Sequence, residues 1–348
     1  MTLIRPTVKA DGTSRSGGRP GTLRAVAALA LVTLAALISL LGPSTALHGT
    51  GEAAAPGVGG IALLRMVLFA ALCVPAGELF VNRLARRLPG APAAVPRSRA
   101  PYAAAAGFVA ALGLASVVAT GNLVPSGLSQ IDVGGLYGTR DGALALLEVN
   151  AFFVAGLCAL SRRPGTQVWP LAAIVGAEAL RAHPTTEHNP LFGSSLTLVH
   201  LTCAALWVGA LLQVLRTLRL WRGGTEQAGI ADSGSAGVSA ALLGLYARVA
   251  ALLLAAITAT GVCSALRRMP AATVLDQLTT TAYGRTLLAK VILVTAVAVL
   301  AVWARIRLCR APDPLTAYMP ARAEVVVLGV VVAVSGLLTA LPVPIRWS

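Results

Sequence analysis

The chain has 348 residues, of which 56 % are hydrophobic and 12 % charged, with a formal net charge of +15. A soluble domain would carry about twice that charged fraction, and the long apolar runs mark an integral membrane protein instead. The excess positive charge sits in short clusters between those runs, which is the pattern of membrane loops and argues against a nucleic-acid-binding face.

Residues 1–22 read as a basic cytoplasmic tail, and 23–60 as an N-terminal transmembrane helix followed by an outer loop. A membrane domain then extends over 61–344. Spanning a bilayer core of ~30 Å takes ~20 helical residues. The candidate runs are Leu23–Leu41, Ile61–Val81, Tyr102–Val124, Ala143–Leu160 and Val168–Arg181, then Ser195–Leu215, Leu242–Leu266, Thr286–Ala304 and Ala323–Leu341. The expected fold is all-α: a polytopic transmembrane helix bundle of about nine helices. The first run also resembles a signal segment, with a basic leader and a small-residue site at Ser44-Thr45-Ala46, which would leave eight helices. Its length favours an uncleaved helix. Residues 88–101 and 223–240 are Gly-, Pro- or Ser-rich and read as flexible.

The loops set the orientation. All but eight of the 28 Lys and Arg residues fall on one side, the eight being Arg65, Arg140, Arg181, Arg267, Arg268, Arg285, Lys290 and Arg346. By the positive-inside rule the richer side is cytoplasmic, so the N-terminus is expected inside and the C-terminus outside. None of the five cysteines forms a CxxC pair, and no disulfide framework is indicated.

Three of the chain's four histidines lie in HPTTEHNPLFGSSLTLVH, residues 183–200. The topology makes this an outward hairpin between the fifth and sixth runs. His183 ends one helix, His188 lies in the loop, and His200 stands about six residues into the next run. From His200, Cys203 is at i+3 and Trp207 at i+7, near one helical face. Imidazole and thiolate are ligands that suit copper, the cuprous ion above all. A mouth of His183 and His188 leading to His200 and Cys203 is a physically sensible entry site for it. The plainer alternatives are solvated loop histidines, a helix histidine bonded to a neighbouring helix, and a cysteine that merely packs.

Acids within the runs are costly and often functional. Glu78, near an inner boundary, reads as snorkelling. Glu148 and Asn150 lie deep enough to want partners. Glu178, one turn below His183, is placed to orient its ring, and Arg65 is a countercharge for one of these acids. No Walker motif and no nucleophile–base pair is present, so neither ATP-driven pumping nor covalent catalysis is expected. No catalytic residue is assigned.

Residues 198–215, 245–269, 281–294 and 323–344 together resemble the CopD family of bacterial copper-resistance membrane proteins. LVHLTCAALWVGALLQVL, residues 198–215, is similar to that family's His-x6-Trp-x-Gly helix. LYARVAALLLAAITATGVCSALRRM (245–269) resembles its Arg-containing helix with a Thr-Gly pair, and TAYGRTLLAKVILV (281–294) the Tyr-Gly-Arg-x-Leu-x-x-Lys segment that follows. AEVVVLGVVVAVSGLLTALPVP (323–344) looks like its last helix. The family's Gly-His-Ala reads Arg181-Ala182-His183 here, keeping the histidine without the glycine. The resemblance, over about residues 61–344, implies a multi-pass protein of the bacterial plasma (inner) membrane. It further implies copper as the bound ion, copper uptake or handling as the function, and a CopC-like extracytoplasmic copper-binding partner. His183 and His200 are the positions it supports, with Glu178 or Met269 assisting. A non-transporting scaffold for copper delivery or oxidase assembly uses the same residues. A bis-His haem electron carrier is the remaining alternative.

Overall fold

A computed structural model describes residues 20–53, 55–121, 133–183, 185, 189–227, 233–269, 272–310 and 318–342. All regular structure among these residues is helical. The long helices are α1 (Pro20–Leu47), α2 (Val58–Ala85), α3 (Ala100–Thr120), α5 (Arg140–Leu160), α6 (Val168–Arg181), α7 (Pro190–Gln227), α8 (Ser233–Arg268), α10 (Ala282–Arg310) and α11 (Tyr318–Ala340). Two short helices, α4 (Val133–Gly138) and α9 (Val274–Thr280), interrupt the connections, as does a 3-10 turn at Pro164–Gln167.

Each apolar run falls on one of the long helices, except that residues 122–124 of the third run lie outside the described residues. Seven of those helices are long and apolar enough to cross a membrane. The other two are α6, of 14 residues, and α11, whose apolar stretch is Val325–Ala340. The helices overrun the apolar runs most at α7 and α8, of 38 and 36 residues. Leucine and arginine continue a helix as readily outside hydrocarbon as inside it, so a helix boundary is not a membrane boundary.

Helix α2 is central, packed by α1, α3, α7 and α11. Its crossing with α7 is made by two glycines. A Cβ on Gly209 would lie 1.9 Å from the Cys73 carbonyl oxygen, and one on Gly77 would lie 2.0 Å from the Gly209 carbonyl carbon. Membrane helices gain most of their association energy from such backbone-close packing. Around this crossing one apolar cluster joins Val81, Trp207, Leu211, Val214, Leu242 and Leu328. A second joins Leu68, Leu72, Leu114, Phe152 and Ile174.

Each end of the bundle is tied by polar contacts. At one end Arg140 donates to the Leu180 carbonyl at 2.8 Å, Arg267 to the Asn189 carbonyl, and Arg268 to the Tyr283 hydroxyl. There Arg285 also donates to the carbonyls of Thr279 and His48, at 2.8 and 2.7 Å, while the Glu52 carboxylate caps the Ala282 amide. At the other end, Glu78 accepts from Ser98 Oγ at 2.6 Å, the Arg99 amide at 2.7 Å and Arg216 Nη1 at 3.0 Å. Glu78 is buried, so the snorkelling expectation is corrected: α2 and α7 bring it an arginine, and the following loop brings it two more donors. The loop before α3, expected to be flexible from its Pro and Gly content, is pinned there. Trp221 Nε1 donates to the Ala94 carbonyl at 3.1 Å, and Arg216 reaches the Arg97 carbonyl.

Candidate metal site

Helix α7 begins at Pro190, five residues before the apolar run. Proline suits a first helical turn because its missing N–H would be unpaired there anyway. His200 is therefore ten residues into the helix, roughly 15 Å from its start, further from the helix start than the apolar run alone implied. Gly193, Thr197 and His200 share one side of α7.

His183 follows the end of α6 and is buried, with 3 % exposure. Its ring lies against Gly193, where a Cβ would come within 2.5 Å of Nδ1, and its Nε2 is 2.9 Å from Thr197 Oγ1. The glycine at 193 thus makes the slot in which the imidazole sits. Arg140 donates to the His183 carbonyl, fixing the backbone of the turn. His183 is accordingly covered by the first turns of α7, where the sequence suggested an open mouth. His188 lies outside the described residues.

One step along α7, His200 Nδ1 is 3.0 Å from Thr260 Oγ1 of α8. The threonine hydroxyl has a single proton, with the Ala256 carbonyl at 2.7 Å and the Ile257 carbonyl at 3.1 Å as acceptors on its own helix. With the proton given to either, Oγ1 accepts from the ring, and in that tautomer the ring proton is on Nδ1 and the lone pair on Nε2. Such a hydrogen bond on the far nitrogen is the usual way a protein orients a metal-ligating histidine. Gly261 lies beside the same ring, a Cβ there being 3.5 Å from Cε1.

The remaining candidates divide. Trp207 is 3 % exposed and sits in the α2–α7–α8 apolar cluster, and Cys203 packs against the same cluster. Met269 is wholly buried just past the end of α8. Glu178 meets Arg65 and, at 3.5 Å, Arg181. The countercharge for Arg65 is thus Glu178, and the His183 Nε2 partner is Thr197, not the acid below it. Arg181 also bonds Glu148 at 2.9 Å. Asn150, expected to want a partner, donates to the Leu146 carbonyl of its own helix. Among the described residues no three His, Cys, Asp or Glu side chains stand close enough together to hold a metal ion.

Residues 240–338 match the family model described as Copper resistance protein D, CopD. Over that segment the chain is similar to the CopD family. No curated protein and no solved structure matches it. The CopD segment covers most of α8, all of α9 and α10, and most of α11, and so contains Thr260, Gly261 and Lys290. The segment that matches the CopD model therefore contacts the His200 ring from α8. The match supports the coarse statement that a membrane-type helical chain carries a segment similar to a copper-resistance family. Sequence reasoning named His200 but passed over Thr260, although it lies in one of the quoted motifs. A threonine beside a glycine reads as helix packing, and only the crossing of α7 and α8 reveals the imidazole it meets.

Proposed function

We propose that this protein is a CopD-type copper permease of the bacterial plasma membrane, with the end bearing His183 facing outward and about nine helices crossing the bilayer. Copper is captured near His183, with the His188 loop at the entrance, and passes along one side of α7 to His200. Cys203, one turn further on, is a soft thiol next in line. The N-terminus is inside and the C-terminus outside, because the cytoplasmic side then holds the arginine-rich loops. Helix α1 is retained: Ser39 and Ala46 are buried against α2 and α11, and the intact mass of the purified protein checks this. A CopC-like protein outside the membrane is the copper donor.

The observation that carries this reading is the His200–Thr260 contact. It joins the histidine helix to the CopD segment and leaves Nε2 with a lone pair for a metal. Copper enters here as cargo, and no cofactor is required. Passage is passive or driven by an ion gradient. The test is copper accumulation in cells and in sealed vesicles. His183→Ala combined with His200→Ala should abolish it at unchanged membrane abundance. Accumulation by that variant at the wild-type level refutes the site, and binding without accumulation by wild type supports a scaffold instead.

A further inference from the structure

The ion network beside His183 has more hydrogen-bonding capacity than its members use. Glu178 Oε1 accepts from Arg65 Nη1 and from Arg181 Nη1, and the same Arg181 nitrogen donates to Glu148 Oε2 at 2.9 Å. Glu148 is 1 % exposed. Its Oε1 has no partner among the described residues, and neither do Arg65 Nε, Arg181 Nε and Arg181 Nη2. An ionised carboxylate oxygen left without a donor inside a bilayer protein is expensive. The second carboxyl is close by: Glu148 Oε2 and Glu178 Oε1 lie 2.9 and 3.5 Å from the same guanidinium nitrogen, Arg181 Nη1.

Two ionised carboxylates so placed repel, and a single proton between them removes the repulsion and gives the orphan oxygen a bond. The geometry points to a proton-binding site, in which Glu148 and Glu178 hold one exchangeable proton between them and Arg65 and Arg181 hold the pair in place. When the proton leaves, Arg181 has two unused N–H groups, Nε and Nη2, with which to take Glu148 Oε1. The site thus has two self-consistent arrangements, protonated and ionised. The proton comes from and returns to the medium; no bond to carbon changes.

The charged surroundings are few. From α6 come Glu178 and Arg181, from α2 comes Arg65, and His183 follows on the same stretch of chain. On its own helix Glu148 has Arg140 and Asp141 two turns toward the start, with Arg140 already bonded to the Leu180 and His183 carbonyls. Helix α3 offers only the exposed Tyr102, α4 the exposed Tyr137, and the 3-10 turn no ionisable group. A role in coupling copper movement to protons rests on the permease reading, but the proton site does not.

The test therefore uses no copper. Infrared difference spectra of the purified protein are recorded across steps of pH, in water and in heavy water. Wild type should show a carboxylic C=O band on the high-frequency side, where buried carboxyls absorb, shifted in heavy water. Glu148→Gln should lose it. Glu78→Gln should keep it, because Glu78 has three donors and is satisfied as an ion. Should Glu148→Gln not accumulate, Glu148→Asp retains a carboxyl and should move the band. Absence of the band in wild type, its persistence in Glu148→Gln, or an unmoved band in Glu148→Asp overturns the proposal, and none of these outcomes bears on copper uptake.

Discussion

Replacing Thr260 by valine isolates the contact on which the copper reading rests. Valine matches threonine in shape and keeps α8 helical, so the change removes one hydroxyl and little else. In the wild type that hydroxyl accepts from His200 Nδ1 at 3.0 Å and is itself 92 % buried with its residue, Thr260 being 8 % exposed. Water cannot readily take its place, and the orphaned Nδ1–H costs about 1–3 kcal/mol. The ring then loses both its orientation and its tautomer preference. Loss of such an outer partner weakens metal binding about 10–100-fold, or about 1.4–2.7 kcal/mol, in line with the hydrogen-bond figure. The assay is competition for cuprous ion against a chromogenic chelator, with purified protein in detergent. Thr260→Ser, which restores the hydroxyl, should recover most of the affinity. Wild-type affinity in Thr260→Val, with affinity lost in His200→Ala, would show that the threonine does not prepare the imidazole.

Other outcomes follow from the packing and the charges. Gly209→Ala puts a methyl 1.9 Å from a backbone oxygen and should lower the thermal stability of the detergent-solubilised protein by about 1–3 kcal/mol; Gly176→Ala, which meets nothing within 4 Å, should leave the melting profile unchanged. Arg65→Ala strips Glu178 of one of its two arginines and should destabilise by about 3–5 kcal/mol. Adding Glu178→Gln should recover part of that loss, and strictly additive effects in the double-mutant cycle would refute the pairing. For orientation, a cysteine at Thr185 should react with an impermeant maleimide on intact cells, whereas one at Arg87 should react only after permeabilisation; the reverse pattern inverts the topology.

The sequence made the helices legible because spanning a bilayer leaves few choices: each run had to be apolar for most of its length and satisfy its own backbone. Val168–Arg181 was placed to the residue. The bounds of α7 and α8 were not, since their ends carry on past the apolar stretch. The minority arginines show what loop counting misses. Of the eight assigned to the outer side or to the spans, Arg65 and Arg181 neutralise buried acids, while Arg140, Arg267, Arg268 and Arg285 bond loop carbonyls or a tyrosine. Each is held by a specific acceptor, which a rule about net loop charge does not register. His200 was legible as a candidate because of its helix and its motif. Its partner Thr260 was not, because it is 60 residues away in the chain and becomes a neighbour only through the crossing of α7 and α8. Trp207 had the right spacing for a site and the wrong surroundings: i+7 from His200 places it on the same face, but by then that face has entered the α2–α7–α8 core.

The central claim is that His200, held by the CopD segment, binds copper. Its most direct test is the copper content of protein purified after loading with cuprous ion, for wild type and for His200→Ala at equal monodispersity. Wild type should retain copper through desalting and His200→Ala should not. Equal copper in both, or none in wild type, would contradict the account.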